Sequence, residues 1–213
     1  MARAGSPAPT GRDADIRARL CDSMLDLVCD LGYRAVTVED VCADAGVGVD
    51  EFERICGDKE GAFIQVFDEA ADRFTEAMQV GCEREASWRD GMRAAAYAGA
   101  RWLRDHPREA RFCVLEALSA GEAVQLRRET TLRRLAEHVD RGRRLLEDPS
   151  SVSPAFASAI VGAISEILVR RLSEGRSLAD VVDLVPEVMY IAIRPYVEGE
   201  DALQELSIPV VPE

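Results

Sequence analysis

The chain predicts an all-α protein, with a small N-terminal three-helix unit followed by a larger helical body, about nine helices in all. Three observations carry this. Residues 37–63, TVEDVCADAGVGVDEFERICGDKEGAF, read as a short helix, a glycine corner, a second short helix and the start of a long one, a helix-turn-helix with its connecting helix. Apolar residues recur every three or four positions both before and after that run. Near the C-terminus, two segments are so apolar that one side of a monomer cannot cover them.

Residues 1–12 read as an arm without the apolar core of a signal peptide. Its Arg3 and Arg12 could reach a minor groove, although a Pro-, Gly- and Ala-rich tail would look the same. From residue 13, Ile16, Leu20, Met24, Leu27, Val28 and Leu31 define a helix closed by Gly32 and Tyr33. Thr37 is placed to N-cap the next helix, with Asp40 three residues on reaching back to the cap. Val38, Val41, Cys42 and Ala45 form its apolar stripe. Gly46 stands where a left-handed C-cap is needed, and Val47-Gly48-Val49 turns the chain into the second short helix. Asp58 then caps a long helix that begins at Lys59 and carries Phe63, Val66, Phe67, Ala70, Phe74, Ala77 and Met78 on one face.

Beyond it, Trp88, Met92, Ala95, Ala96, Gly99, Trp102 and Leu103 form a helix that stops at His106-Pro107. Ala110 to Leu118 form another, ending at Gly121. A long helix to about Leu146 carries arginines outside and Leu126, Leu132, Leu135, Val139 and Leu146 inside. The loop EDPSSVSP leads to FASAIVGAISEILVRRL and then to a segment from Leu178 to Ile193, in which Pro186 should kink or restart the helix. The tail, EGEDALQELSIPVVPE, reads as acidic and only partly ordered. These readings divide the chain into an arm (1–12), a helix-turn-helix domain (13–60), a body (61–200) and a tail (201–213).

Several function classes find no support. Six cysteines, at 21, 29, 42, 56, 82 and 113, show no metal-ligand spacing with the two histidines, so no metal is expected. They read as packed thiols, with Cys56 the candidate if one were a redox switch. No phosphate loop, nucleotide fingerprint, HExxH or GxSxG is present, so neither an enzyme nor a cofactor is expected. No run of about 18 apolar residues occurs, which predicts a soluble, cytoplasmic protein without membrane contact.

The run GYRAVTVEDVCADAGVGVDEFERICGDKEGAF resembles the N-terminal domain of tetracycline-repressor-like (TetR family) regulators over about 50 residues. Gly32, Tyr33, Thr37, Ala45, Gly46, Val47, Phe52, Arg54, Lys59, Glu60 and Phe63 agree with the family's pattern. Val49, Asp50, Glu51, Glu53, Ile55 and Cys56 depart from it. The resemblance implies a ligand-responsive repressor that binds double-stranded operator DNA as a homodimer. It implies that Thr37, Gly48, Val49, Asp50, Glu51, Glu53, Arg54 and Lys59 face DNA, where the position of Glu53 is usually tyrosine and Lys59 meets a phosphate. It also implies a pocket for an unknown small-molecule effector in the body, for which Phe74, Met78, Trp88, Met92, Trp102, Phe112, Glu116 and Phe156 are the available lining. The last two apolar segments would pair with their copies through Ile160, Ile164, Ile167, Val188 and Ile193.

Charge opposes the DNA reading. Residues 1–60 hold seven basic residues against thirteen acidic, where a DNA-binding domain should be basic. A carboxylate about 5 Å from a phosphate costs roughly 0.8 kcal/mol in bulk water and on the order of 3 kcal/mol at an effective dielectric of 20. Two features offset this: first-turn carboxylates complement the helix dipole, and a carboxylate can accept from the cytosine amino group. The alternative is a dimeric module of the same fold that binds a small molecule or a protein and has lost DNA recognition.

Overall fold

The computed structural model describes residues 11–208, and Arg3 of the arm and the last five residues of the tail lie outside the described residues. Ten α-helices and no strand occur among the described residues. Helix α1 (Gly11–Leu31) begins two residues before the predicted start, so Arg12 belongs to its first turn and not to an arm. It buries Ile16, Leu20, Met24 and Val28, one side chain per turn, and stops where Gly32 takes a left-handed conformation.

Helix α2 (Val38–Ala45) starts at the expected capping box: the Thr37 hydroxyl accepts from Asp40 N, and the Asp40 carboxylate accepts from Thr37 N at 2.9 Å. At its end Gly46 has φ +63°, a conformation that costs a side-chain-bearing residue about 1 kcal/mol or more. Helix α3 (Val49–Cys56) follows after two residues, and α4 (Lys59–Glu83) is capped by Asp58, whose carboxylate accepts from Gly61 N at 2.7 Å.

The body contains α5 (Trp88–Asp105), α6 (Pro107–Val114), α7 (Glu122–Asp140), α8 (Ala155–Ser173), α9 (Val185–Ile193) and α10 (Gly199–Gln204). Two predicted features change. Helix α7 ends at Asp140, the chain tightens into a 3₁₀ turn over Arg141–Leu145, and the Trp88 ring packs so close to Gly142 that no side chain fits there. Its inner face is set by Val124, Ala136 and Val139, whereas Leu126 is 63% exposed. Pro186 restarts the chain as predicted, sitting in the first turn of α9, where its missing N–H costs nothing.

The core does not stop at residue 60. Phe112, Ala117, Ala120 and Val124 from the body share a single apolar cluster with α1 to α4. Phe112 stacks on Phe63 with ring centroids 3.9 Å apart, and Tyr33 meets Phe63 edge-on at 5.2 Å. Polar contacts fasten the same junction. Glu60 of α4 accepts from Ala123 N at 3.1 Å, capping α7, and Arg108 reaches Asp30 at 2.9 Å. Two further clusters fill the body, one around Met189 and Ile193 and one around Ile160 and Val161.

The tail, expected to be only partly ordered, is helical over Gly199–Gln204 and Glu205–Ser207. Glu205, 1% exposed, is gripped by Arg89 at 2.6 Å and by both Nε and Nη2 of Arg93 at 2.7 Å, joining the C-terminus to the start of α5. Burial pushes the Glu205 carboxyl up, but the hydrogen bonds and charges of Arg93 and Arg89 outweigh it and hold it below its ordinary value. A carboxyl lowered in the folded state stabilises fully above its unfolded pKa and loses that contribution as pH falls through the folded one. Glu205→Ala should therefore destabilise the protein by about 3 kcal/mol at neutral pH, since two arginines lose their buried partner. The gap between variant and native protein should shrink as urea melts are repeated towards pH 3; a gap independent of pH would mean that packing, not the ion pair, holds the tail.

Candidate nucleic-acid interface

Helix α3 is held by one face and open on the other. Phe52 and Cys56 are buried against α1 and α2, and Val49, Asp50, Glu53 and Arg54 are exposed. Its N-cap is Gly48, so no side-chain hydrogen bond caps its first turn. Thr37, at the head of α2, lies exposed with its capping box complete. The structure thus places Thr37, Gly48, Val49, Asp50, Glu53 and Arg54 on the surface of the helix-turn-helix and leaves Glu51 and Lys59 half-buried beside it.

The charges of this surface are largely matched within the protein. Arg12 reaches Glu51 at 3.1 Å, and Arg54 reaches Asp13 at 2.8 Å, so the first turn of α1 lies across α3. Arg19 donates to the Ala45 carbonyl at 2.9 Å, tying α1 to the end of α2. Lys59 sits 4.1 Å from the centre of the Tyr33 ring, a cation–π contact. Burial lowers its pKa, and the Asp40 carboxylate acts against that shift. Asp40 itself titrates below the ordinary range, because the Thr37 hydroxyl and backbone N–H both donate to it. Exposed ion pairs of this kind are worth less than about 1 kcal/mol, so a phosphate can draw Arg12 and Arg54 away from their partners at little cost.

None of this was legible from spacing alone, because Arg12 and Glu51 stand 39 residues apart and Arg54 and Asp13 stand 41 apart. Cys56 is no switch. It is 8% exposed, and burial pushes its thiol up to about 11, which leaves almost no thiolate at neutral pH.

The residues expected to line an effector pocket do not converge on one space. Phe74 meets Trp102 edge-on at 5.5 Å, Trp102 stacks on His106 at 4.7 Å, and Met78 packs against Gly99. Trp88 meets Tyr196 at 5.5 Å, and Met92 packs beside it between the two body clusters. Phe112 is fully buried in the N-terminal core, stacked on Phe63, far from a pocket role. Glu116 has partners already: it accepts from Tyr33 N and from Arg111, each at 3.2 Å, and joins body to head. Phe156 is 50% exposed on the outer face of α8.

Two residues assigned to a subunit interface also move. Ile160 and Ile193 are 6% and 0% exposed, buried in their own domain, and Ile164 and Val188 are half-buried. Ile167, at 47%, is the one that faces outward, together with Phe156 and with Ile191 of α9 at 54%. The period of α8 was readable, but which side of a nearly all-apolar helix faced home was not.

No family model and no curated protein matches the chain. Solved structures do. The regulator FadR from Bacillus subtilis, in complex with stearoyl-CoA, superposes with a TM-score of 0.71 at 17% identity, over 84% of this chain and 98% of that one. The chain has the fold of TetR-family transcription regulators. A putative TetR-family regulator from Syntrophomonas wolfei gives 0.71 at 14% identity over 86% and 96%, and a TetR-like regulator from Rhodococcus sp. RHA1 gives 0.61 at 18% over 88% and 97%. Within that fold the α2–α3 pair depends on its cap. Thr37→Ala should cost about 1 kcal/mol in urea unfolding, with Thr37→Ser close to native; equal losses for both would assign the effect to packing of the Thr37 methyl group.

Proposed function

We propose that the protein is a TetR-like transcription regulator without enzymatic activity, a homodimer that binds double-stranded DNA through α3 and represses until an effector is bound. The observation that supports this most is the capped helix-turn-helix with an open α3 face, set in a fold shared along nearly the whole length of known regulators. Phe156, Ile167 and Ile191 form an outward apolar surface on α8 and α9, with Ala159, Gly162 and Ala163 exposed between them, which allows close approach of a second copy. Two copies would present two α3 helices, as a two-fold operator requires.

An effector would enter by separating rings that now touch. The Phe74–Trp102 contact is the natural place, since small neighbours such as Gly99 surround it. The stearoyl-CoA carried by the Bacillus subtilis protein makes long-chain acyl compounds the first ligands to try, with emission of Trp102 as the readout.

Ile167→Arg and Ile191→Arg should each give monomers in light scattering without a loss of melting temperature, because both side chains already face solvent. Dimers from both variants would place the interface elsewhere. In DNA binding, Arg12, Arg54 and Lys59 of two subunits neutralise at most about six phosphates. The slope of log affinity against log salt should then be no steeper than about −5. Failure of the native dimer to retain any duplex at low salt would remove the regulator reading and leave a dimeric ligand- or protein-binding module.

A further inference from the structure

Two carboxylates on the open face of α3 are left unmatched. Asp50 and Glu53 lie one turn apart, both exposed, and make no ion pair among the described residues. The neighbouring charges of the same helix are matched, Glu51 by Arg12 and Arg54 by Asp13. The surface that would enter a major groove therefore presents acceptors, and an ionised carboxylate can only accept.

Base edges in that groove sort sharply against such a group. Guanine presents N7 and O6 and thymine presents O4, all acceptors that repel a carboxylate. Adenine offers its amino group, but N7 beside it opposes the second carboxylate oxygen. Cytosine alone offers an amino donor with no acceptor beside it. We infer that Asp50 and Glu53 select cytosine in each operator half-site, so that the acidic residues of α3 determine specificity. This rests on the DNA-binding reading above. Arg54 lies four residues after Asp50, on the same face. Released from Asp13, it is suited to the guanine of the same or an adjacent pair, whose N7 and O6 match its fork. Repulsion from phosphates remains, and it acts on every sequence alike. Only sites that supply the amino donors recover the loss, which makes the protein a weak binder in general and a selective one in particular.

The test is selection of duplexes from a random pool by the native dimer, Asp50→Asn, Glu53→Gln and the double variant. All four should melt alike, since both positions are exposed. Native protein should enrich half-sites with cytosine fixed at one or two positions. Each amide variant should move its own position from cytosine to adenine, because an amide supplies both the donor and the acceptor that adenine N7 and N6 require. The change in relative affinity at that base pair should be tenfold or more. Stronger binding by the variants at every sequence, with the native preference unchanged, would show that the carboxylates only repel phosphate; the inference then fails while the DNA-binding reading stands. Enrichment of no sequence by any of the four would end both.

Discussion

The stack of Phe112 on Phe63 is the contact around which the molecule is organised. It places a ring from α6 inside the core that α1, α2 and α3 share, because one long and two eight-residue helices bury too little surface to enclose Val28, Val41 and Phe52 unaided. Once that ring is seated, α6 is pinned across α1 and α4. The neighbouring polar groups then find each other: Glu116 with the Tyr33 backbone, Arg108 with Asp30, and Glu60 with the start of α7. The N-terminal helical unit is therefore not a bead on a linker. A displacement of α6 by ligand in the body would have to move the head or break the stack.

Local signals made the head legible and non-local ones made the body obscure. Thr37, Asp40, Gly46 and Asp58 each act on backbone atoms within three or four residues, so the sequence carries the whole of their effect, and helices α2, α3 and α4 begin where those residues say. Apolar period gave most body helices as well. It failed on α8, where Ile160 and Ile167 lie two turns apart on the same side of the helix, yet the first is buried and the second is exposed. Composition left the contacts of the tail unread for a related reason. EGEDALQELS reads as acidic and soluble, and nothing in it announces that Glu205 meets two arginines 112 and 116 residues away.

The pocket residues show how aromatic composition misleads. Rings on α4, α5 and α6 were available to enclose a ligand, but a ring gains as much by meeting another ring, and Phe74, Trp88, Trp102 and Phe112 have done so. Phe112 went to the head and Phe156 to the outer surface, so chain order alone did not bring the group together.

Electrostatics of the head follow from the way its helices cross. Laying the first turn of α1 over α3 brings Arg12 and Asp13 to Glu51 and Arg54, and each exposed arginine is held by a half-buried carboxylate through a weak, exchangeable bond. In water this arrangement costs nothing and gives little. Beside a phosphate it becomes a competition: the arginine can leave, but the carboxylate it abandons stays within the field of the backbone. Net attraction to generic duplex is thereby reduced in proportion to the pairs broken, and Asp50 and Glu53 reduce it further without ever having been paired. If it binds DNA as proposed, a head built this way would forgo most of the sequence-independent attraction to phosphate. Under the proposed DNA-binding role, what would hold it on a duplex is geometry: the exposed face of α3, the base edges it could reach, and the doubling of both by a second copy.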